Sequence, residues 1–172
     1  DLSNIFKNFT TPAGRMRLLK GKSGSTIIDD TYNSSPIASV SALNTLKNLQ
    51  TRGKKIAILG DMKELGTHSE KAHRDIGKLA GETVHILITV GEMAKDIARG
   101  ANDSGMPAEQ IFSFNIQNEP IKKITGLLRT GDVILIKGSQ SMRMEKIVES
   151  LLKDKSKLID LLVRQEEEWR RR

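Results

Sequence analysis

The run Asp132-Val133-Ile134-Leu135-Ile136-Lys137 sets four consecutive aliphatic residues between a carboxylate and an ammonium. It is too short for a helix and apolar at every internal position. It therefore reads as a strand buried on both faces, as strands of a parallel sheet are. Lys55-Ile56-Ala57-Ile58-Leu59-Gly60 and the stretch from His85 to Val90 repeat the pattern. Each run is followed by a polar loop and then by apolar residues at helical spacing. Strands covered on both faces need helices on both sides, and this alternation calls for βαβ units. The predicted class is α/β, a Rossmann-like three-layer sandwich on a mostly parallel sheet.

The other elements fit around that sheet. Arg15 to Lys20 and Ser25 to Asp30 are strand-like, and Gly21-Lys22-Ser23-Gly24 between them suits a hairpin, which adds one antiparallel edge. After Asp29-Asp30 comes the polar turn Thr31-Tyr32-Asn33-Ser34-Ser35, then Pro36. Proline is suited to a first helical position, because the N–H it lacks would be unpaired there, and Ser35 is placed to cap. Ile37, Val40, Leu43, Leu46 and Leu49 predict a helix over 36–51 with that face inward. Thr67-His68-Ser69-Glu70 has the form of a capping box, opening a helix to about Gly81 with Ala72, Ile76, Leu79 and Ala80 inward. Further helices are predicted over 92–100 (Met93, Ala94, Ile97 and Ala98 inward), 119–129 and 142–152, with a weaker strand over 110–114. A last helix carries Leu158, Leu161 and Leu162 and runs into Glu166-Glu167-Glu168-Trp169-Arg170-Arg171-Arg172, read as a solvated helix end. Residues 1–14 are polar and irregular and read as a linker, leaving 15–172 as one domain. The chain does not begin with Met and is expected to be a piece of a longer protein.

Composition narrows the function classes. At 172 residues the chain can bury a proper core. No apolar run approaches the ~20 residues that span a bilayer, and the opening residues have no apolar leader segment. No membrane partner is expected. Cysteine is absent, which excludes disulfides and thiolate chemistry and fits the cytoplasm. The net charge of +7 invites a nucleic-acid reading, but the basic residues are scattered and aromatics are only 3%, too few for a base-stacking platform. Nucleic acid is not expected. A basic balance also suits anionic substrates such as nucleotides.

No Walker A sequence, Gly-x-Gly-x-x-Gly, His-Glu-x-x-His or nucleophile elbow occurs, and no metal site is predicted. What remains is three polar loops at the ends of predicted parallel strands: Asp29 to Ser35, Asp61 to Gly66 and Lys137 to Ser141. Such loops lie on one edge of a doubly wound sheet, where ligands bind. The first also meets a helix N-terminus, whose free N–H groups favour an anion. Each loop has a plainer reading as a strand exit followed by a turn or cap. His73 shares a helix face with Ile76 and Ala80, which suits a hydrogen-bonded, half-buried histidine.

The motifs become specific when taken together. Gly14-Arg15-Met16-Arg17, Asp29-Asp30-Thr31-Tyr32-Asn33, Gly60-Asp61-Met62-x-Glu64-Leu65-Gly66, Ser69-x-x-x-His73 and Val133-x-x-x-Lys137-Gly138-Ser139-x-x-Met142-Arg143-Met144-Glu145 resemble the C-terminal domain of Mur ligases. Within that family they are most similar to the branch that adds D-alanyl-D-alanine to a UDP-muramoyl-tripeptide. The resemblance covers about Gly14 to Trp169.

It implies an ATP-dependent amide ligase working through an acyl phosphate, in which this domain brings the amino substrate and closes over the nucleotide. ATP and Mg2+ would be bound mainly by a central ATPase domain. That domain and an N-terminal UDP-sugar-peptide domain would be the intramolecular partners, and a monomer is expected. This domain alone should not turn over. Carried over to these positions, Asp30 would meet the ribose of ATP, with Tyr32 and Asn33 also on the nucleotide side. Lys137, Ser139 and Arg143 would suit the dipeptide carboxylate, and Glu145, Asp61 and Glu64 its ammonium end. His73 becomes a candidate without an assigned role.

Two departures stand out. The family pattern Asn-Ala-Asn-Pro is Asn33-Ser34-Ser35-Pro36 here, and Lys-Gly-Ser-Arg-Gly is Lys137-Gly138-Ser139-Gln140-Ser141, which removes a positive charge. Competing readings are another Mur or folylpolyglutamate-type ligase, against which the Asp61 to Gly66 loop argues, and a non-catalytic Rossmann-like nucleotide- or anion-binding module.

Overall fold

The computed structural model describes residues 11–116 and 118–170. Six strands form one sheet: β1 (Arg17–Lys20), β2 (Thr26–Asp30), β3 (Lys55–Gly60), β4 (Ile86–Val90), β5 (Ile111–Phe114) and β6 (Val133–Lys137), in the spatial order β1-β2-β6-β3-β4-β5. The β1–β2 pair is antiparallel and every other pair is parallel. The strand that closes the chain's last βαβ unit, β6, is inserted between β2 and β3. Its Lys137 is the register partner of Asp30 on one side and of Leu59 on the other. The carboxyl ends of β2, β6 and β3 thus stand side by side, and the three polar loops leave the sheet together.

Alternation along each strand divides the core into two layers. Ile56 and Ile58 of β3 join Ile27, Ile134 and Ile136 on the face covered by α4 (Asn118–Leu127) and α5 (Glu145–Leu151). Ala57 and Leu59 join Ile28, Val133 and Leu135 on the other face, covered by α1 (Pro36–Asn48), α2 (Ser69–Gly81) and α3 (Lys95–Asp103). The predicted three-layer sandwich with an antiparallel edge is the fold observed. The part of the expected linker at 1–10 lies outside the described residues. Gly14 is buried, and its carbonyl accepts from the Tyr32 N–H at 2.9 Å.

Several local expectations are corrected. The first helix ends at Asn48 and turns Ser39, Ala42, Leu43 and Leu46 to the sheet, leaving Ile37 85% and Val40 40% exposed. Ser39 can face inward because its hydroxyl lies 3.1 Å from that of Ser34 and 3.6 Å from the Met62 sulfur. Thr67 is no cap: a 3₁₀ turn over Gly66–His68 leads straight into α2, whose preceding residue His68 makes no side-chain capping bond. The third helix starts at Lys95, not 92, and leaves Met93 exposed. The helix expected from Met142 is broken at Arg143, which is left-handed at φ 51°, and α5 begins only at Glu145. The last predicted helix is two short ones, α6 (Leu158–Leu161) and α7 (Glu167–Arg170). Between them Arg164 is left-handed at φ 58°.

Candidate functional site

The first loop is built on two carboxylates with different tasks. Asp29 turns inward: one oxygen accepts from the Thr31 N–H and hydroxyl at 3.2 and 2.6 Å, the other from the Gly14 N–H at 3.1 Å. Burial pushes its carboxyl above the ordinary value of 3.8, against the opposing pull of those hydrogen bonds. Asp30 turns the other way. It accepts from the Met16 N–H at 3.2 Å and from the Lys137 ammonium at 2.6 Å. Lys137, its side chain only 3% exposed, donates also to the Asn33 carbonyl at 2.9 Å. Tyr32 stays exposed, with the Arg15 guanidinium 4.1 Å from its ring centroid. Asp30, Tyr32, Asn33 and Lys137, with Arg15, Ser34, Ser35 and Ala38, line a cleft of about 380 Å³ at the N-terminus of α1. Ser35 caps that helix, accepting from the Ala38 N–H at 3.3 Å.

The second and third loops are stitched to each other. Ser139 donates its N–H to the Asp61 carbonyl at 3.0 Å, and its hydroxyl accepts from the Lys63 N–H at 2.8 Å. Asp61 is buried. One carboxylate oxygen accepts from the Ala94 N–H and the other from the Lys63 ammonium, both at 2.8 Å. Behind the loop His73 is fully buried: Nε2 accepts from the Met62 N–H at 2.9 Å and Nδ1 lies 2.8 Å from the Ser69 carbonyl. A carbonyl can only accept, so Nδ1 carries the proton and both ring nitrogens are engaged. His73 thus clips the loop from behind and presents no free nitrogen to a cleft.

A buried ionic cluster joins the loops to the C-terminal segment. Glu145, its side chain 1% exposed, receives Arg143 at 2.5 Å on one oxygen and Arg164 at 3.1 Å on the other. Arg164 also donates to the Thr31 and Tyr32 carbonyls at 3.1 and 2.5 Å. Arg143 donates to the Trp169 carbonyl at 2.9 Å and lies 5.3 Å from its ring centroid. Two guanidinium groups on one carboxylate leave the cluster with a net positive charge, spent on backbone carbonyls of two separate segments.

The expected residues are therefore brought together unequally. Asp30, Tyr32, Asn33 and Lys137 share the first cleft. Lys137, expected among the dipeptide-carboxylate partners, is bound to Asp30 and lines the same cleft as Tyr32 and Asn33. Glu64 and Ser139 line a second cleft of about 660 Å³, with Asn33, Ser34, Ser35, Lys63, Leu65, Gln140, Ser141 and Trp169. Asp61, Arg143 and Glu145 lie behind these walls and already have partners. Glu166, Glu167 and Glu168 are exposed, as expected of a solvated helix end, but Trp169 within that run and Arg164 before it reach the site, which the sequence did not indicate. The only signal was for Trp169, a single tryptophan, the one in the chain, amid that charged run. Among the described residues no three carboxylates or histidines gather closely enough to hold a metal ion.

Residues 14–140 match the family model described as the Mur ligase, glutamate ligase domain. The chain belongs to the Mur ligase family. The matched portion is that family's C-terminal domain. A relative from Bacillus subtilis, a UDP-N-acetylmuramoyl-tripeptide–D-alanyl-D-alanine ligase, is 32% identical over 139 residues, covering 80% of this chain and 30% of that protein. A ligase of the same name from Buchnera aphidicola is 34% identical over 132 residues, covering 76% and 28%. The chain thus spans less than a third of the length of these relatives. Among solved structures, a MurF ligase from Thermotoga maritima in complex with ADP superposes with TM-score 0.69 at 28% identity, covering 83% of this chain and 31% of that one. A MurF from Acinetobacter baumannii gives 0.75 at 26%, covering 90% and 34%. The Mur ligase C-terminal fold is common ground.

Proposed function

We propose that this chain is the amino-substrate and lid domain of an ATP-dependent amide ligase that joins D-alanyl-D-alanine to UDP-N-acetylmuramoyl-tripeptide in the cytoplasm. The observation that carries the reading is the convergence of the three motif loops on two adjoining clefts that share Asn33, Ser34 and Ser35. One cleft suits a nucleotide and the other an amine acceptor beside it. Relatives at 32% and 34% identity carry that activity in their names, and the T. maritima structure holds ADP.

The chemistry follows from what each wall can offer. In the first cleft Asp30 keeps acceptor capacity for a ribose hydroxyl while Lys137 balances its charge, and Tyr32 and Asn33 flank it. The α1 N-terminus adds N–H donors suited to phosphate oxygens. Magnesium would be held mainly by the central ATPase domain. In the second cleft the Ser139 hydroxyl and the Lys63 ammonium suit the acceptor's carboxylate, and the exposed Glu64 its ammonium. Asp61, Arg143 and Glu145 act from behind as positioning groups. ATP converts the tripeptide carboxylate to an acyl phosphate, the acceptor amine attacks its carbonyl carbon, and phosphate leaves. Closure of this domain over the reacting groups would keep water from that acyl phosphate. The domain alone would bind both ligands weakly and would not turn over. The intact ligase would act as a monomer.

Phosphate release by the whole ligase, supplied with ATP, Mg2+, UDP-muramoyl-tripeptide and D-alanyl-D-alanine, tests the reading. Asp30→Ala should raise the KM for ATP and leave that for the dipeptide nearly unchanged. Release with a different amine, and none with the dipeptide, would move the chain to a sister ligase.

A further inference from the structure

The family model stops at residue 140, yet the second cleft has a wall from far beyond it. Trp169 is the one aromatic residue lining that cleft, whose other lining is polar except for Leu65. Trp169 also lines a neighbouring space with Tyr32, Ile159, Leu162 and Val163, so that it and Gln140 form the wall shared by two cavities. A helix as short as α7 would not hold such a side chain in place unaided. Arg143 supplies the hold. Its guanidinium bonds the Trp169 carbonyl, lies against the ring, and is fixed from behind by Glu145. Both Arg143 and Arg164 take a left-handed backbone that non-glycine residues adopt only when their surroundings enforce it. Arg164 shares Glu145 and grips the Tyr32 carbonyl, so the shared wall is tied to the nucleotide-side loop as well.

We infer that Trp169 is a specificity-determining wall of the acceptor cleft, selecting a dipeptide with apolar methyl substituents over one without them. This rests on the function proposed above, which supplies an acceptor with two methyl groups. An indole face is broad, rigid and apolar. It gains from contact with methyl groups and gains little from hydrogen. The charged and hydroxyl groups of the cleft can recognise the ends of any dipeptide, so discrimination along its length falls to the apolar lining, Leu65 and the much broader face of Trp169.

The test compares D-alanyl-D-alanine with glycyl-glycine as acceptors for the whole ligase, in the wild type and in Trp169→Ala and Trp169→Phe. The expected result is a roughly tenfold rise in dipeptide KM for Trp169→Ala, the loss for two methyl groups that give up buried contact. KM for ATP should stay within about twofold. The ratio of kcat/KM for the two acceptors should narrow in Trp169→Ala and recover in Trp169→Phe. A merely structural role would lower activity with both acceptors and leave that ratio unchanged. An unchanged ratio in a folded Trp169→Ala ligase overturns the inference. If Trp169→Ala does not fold, Trp169→Gln, which keeps a long side chain but removes the apolar face, is read instead: a narrowed ratio supports the wall and an unchanged one overturns it. A wild type inactive with D-alanyl-D-alanine but active with another amine would instead overturn the proposed function.

Discussion

Asp30 and Lys137, the last residues of β2 and β6, are register partners, and the ammonium donates to the carboxylate at 2.6 Å. The two side chains are only 13% and 3% exposed. Their strands lie over a hundred residues apart in sequence, so this pair is a direct product of β6 entering the sheet beside β2. Breaking a pair so poorly hydrated leaves an uncompensated charge, a larger loss than the pair's own net worth. Lys137→Met should therefore cost about 3 kcal/mol of stability in urea unfolding. The double variant with Asp30→Asn should recover most of that loss. A harmless Lys137→Met would show that water already screens the pair.

His73 holds the Asp61 loop by accepting from the Met62 N–H, so its removal orphans a buried donor and opens a void. His73→Ala should destabilise the chain by about 3 kcal/mol. Amide exchange at Met62 should rise well before global unfolding. Slow exchange at that amide in the variant would assign the loop's rigidity elsewhere.

Asp29 gives a pH signature of unusual sign. Its folded carboxyl is raised above 3.8 by burial, so between that value and its folded one the native state binds more protons than the unfolded chain. Stability contributed by this group is present at low pH and is lost as pH rises through the folded value. Subtracting the Asp29→Asn stability profile from the wild-type profile, measured by denaturant midpoints from about pH 3 to 7, should give a difference that falls with pH. A flat or rising difference would contradict the burial argument.

Gly91 sits at φ 113°, and a Cβ there would come within 2.3 Å of an Asp61 carboxylate oxygen. Gly91→Ala should therefore push Asp61 off the Ala94 N–H and strain the backbone together. A loss of at least about 2 kcal/mol is expected in thermal or urea unfolding. In the whole ligase the same change should raise the dipeptide KM, since Asp61 and Ser139 are joined through the Asp61 carbonyl.

Strand and helix existence was readable because burial imposes a period. Uniformly apolar runs such as Val133 to Ile136 mark strands covered on both faces, and Ser35-Pro36 marks a helix start by local chemistry alone. Helix faces were read less well. Ile37 and Val40 are more apolar than Ser39, so a count of apolar positions placed Leu43 and Leu46 correctly but set Ile37 and Val40 on the buried face in place of Ser39 and Ala42. The sheet accepts Ser39 because Ser34 and Met62 satisfy its hydroxyl. The Thr67 capping box failed for a related reason: a 3₁₀ turn already carries the chain into α2, so no β-region cap position exists there.

Motif spelling in the three loops, and the alternation that makes them follow strands, are written in the local sequence of residues. They determine an α/β domain with polar loops at strand exits and identify which residues those loops contain. That Lys137 answers Asp30, that Ser139 locks onto the Asp61 loop, and that Trp169 closes the second cleft were decided by tertiary structure. Each depends on the order β2-β6-β3 or on where the C-terminal segment lands. Local periodicity is a property of neighbours along the chain and is silent on which strand inserts beside which. That choice belongs to packing of the two apolar layers and to the desolvated charges that must find partners once the layers close.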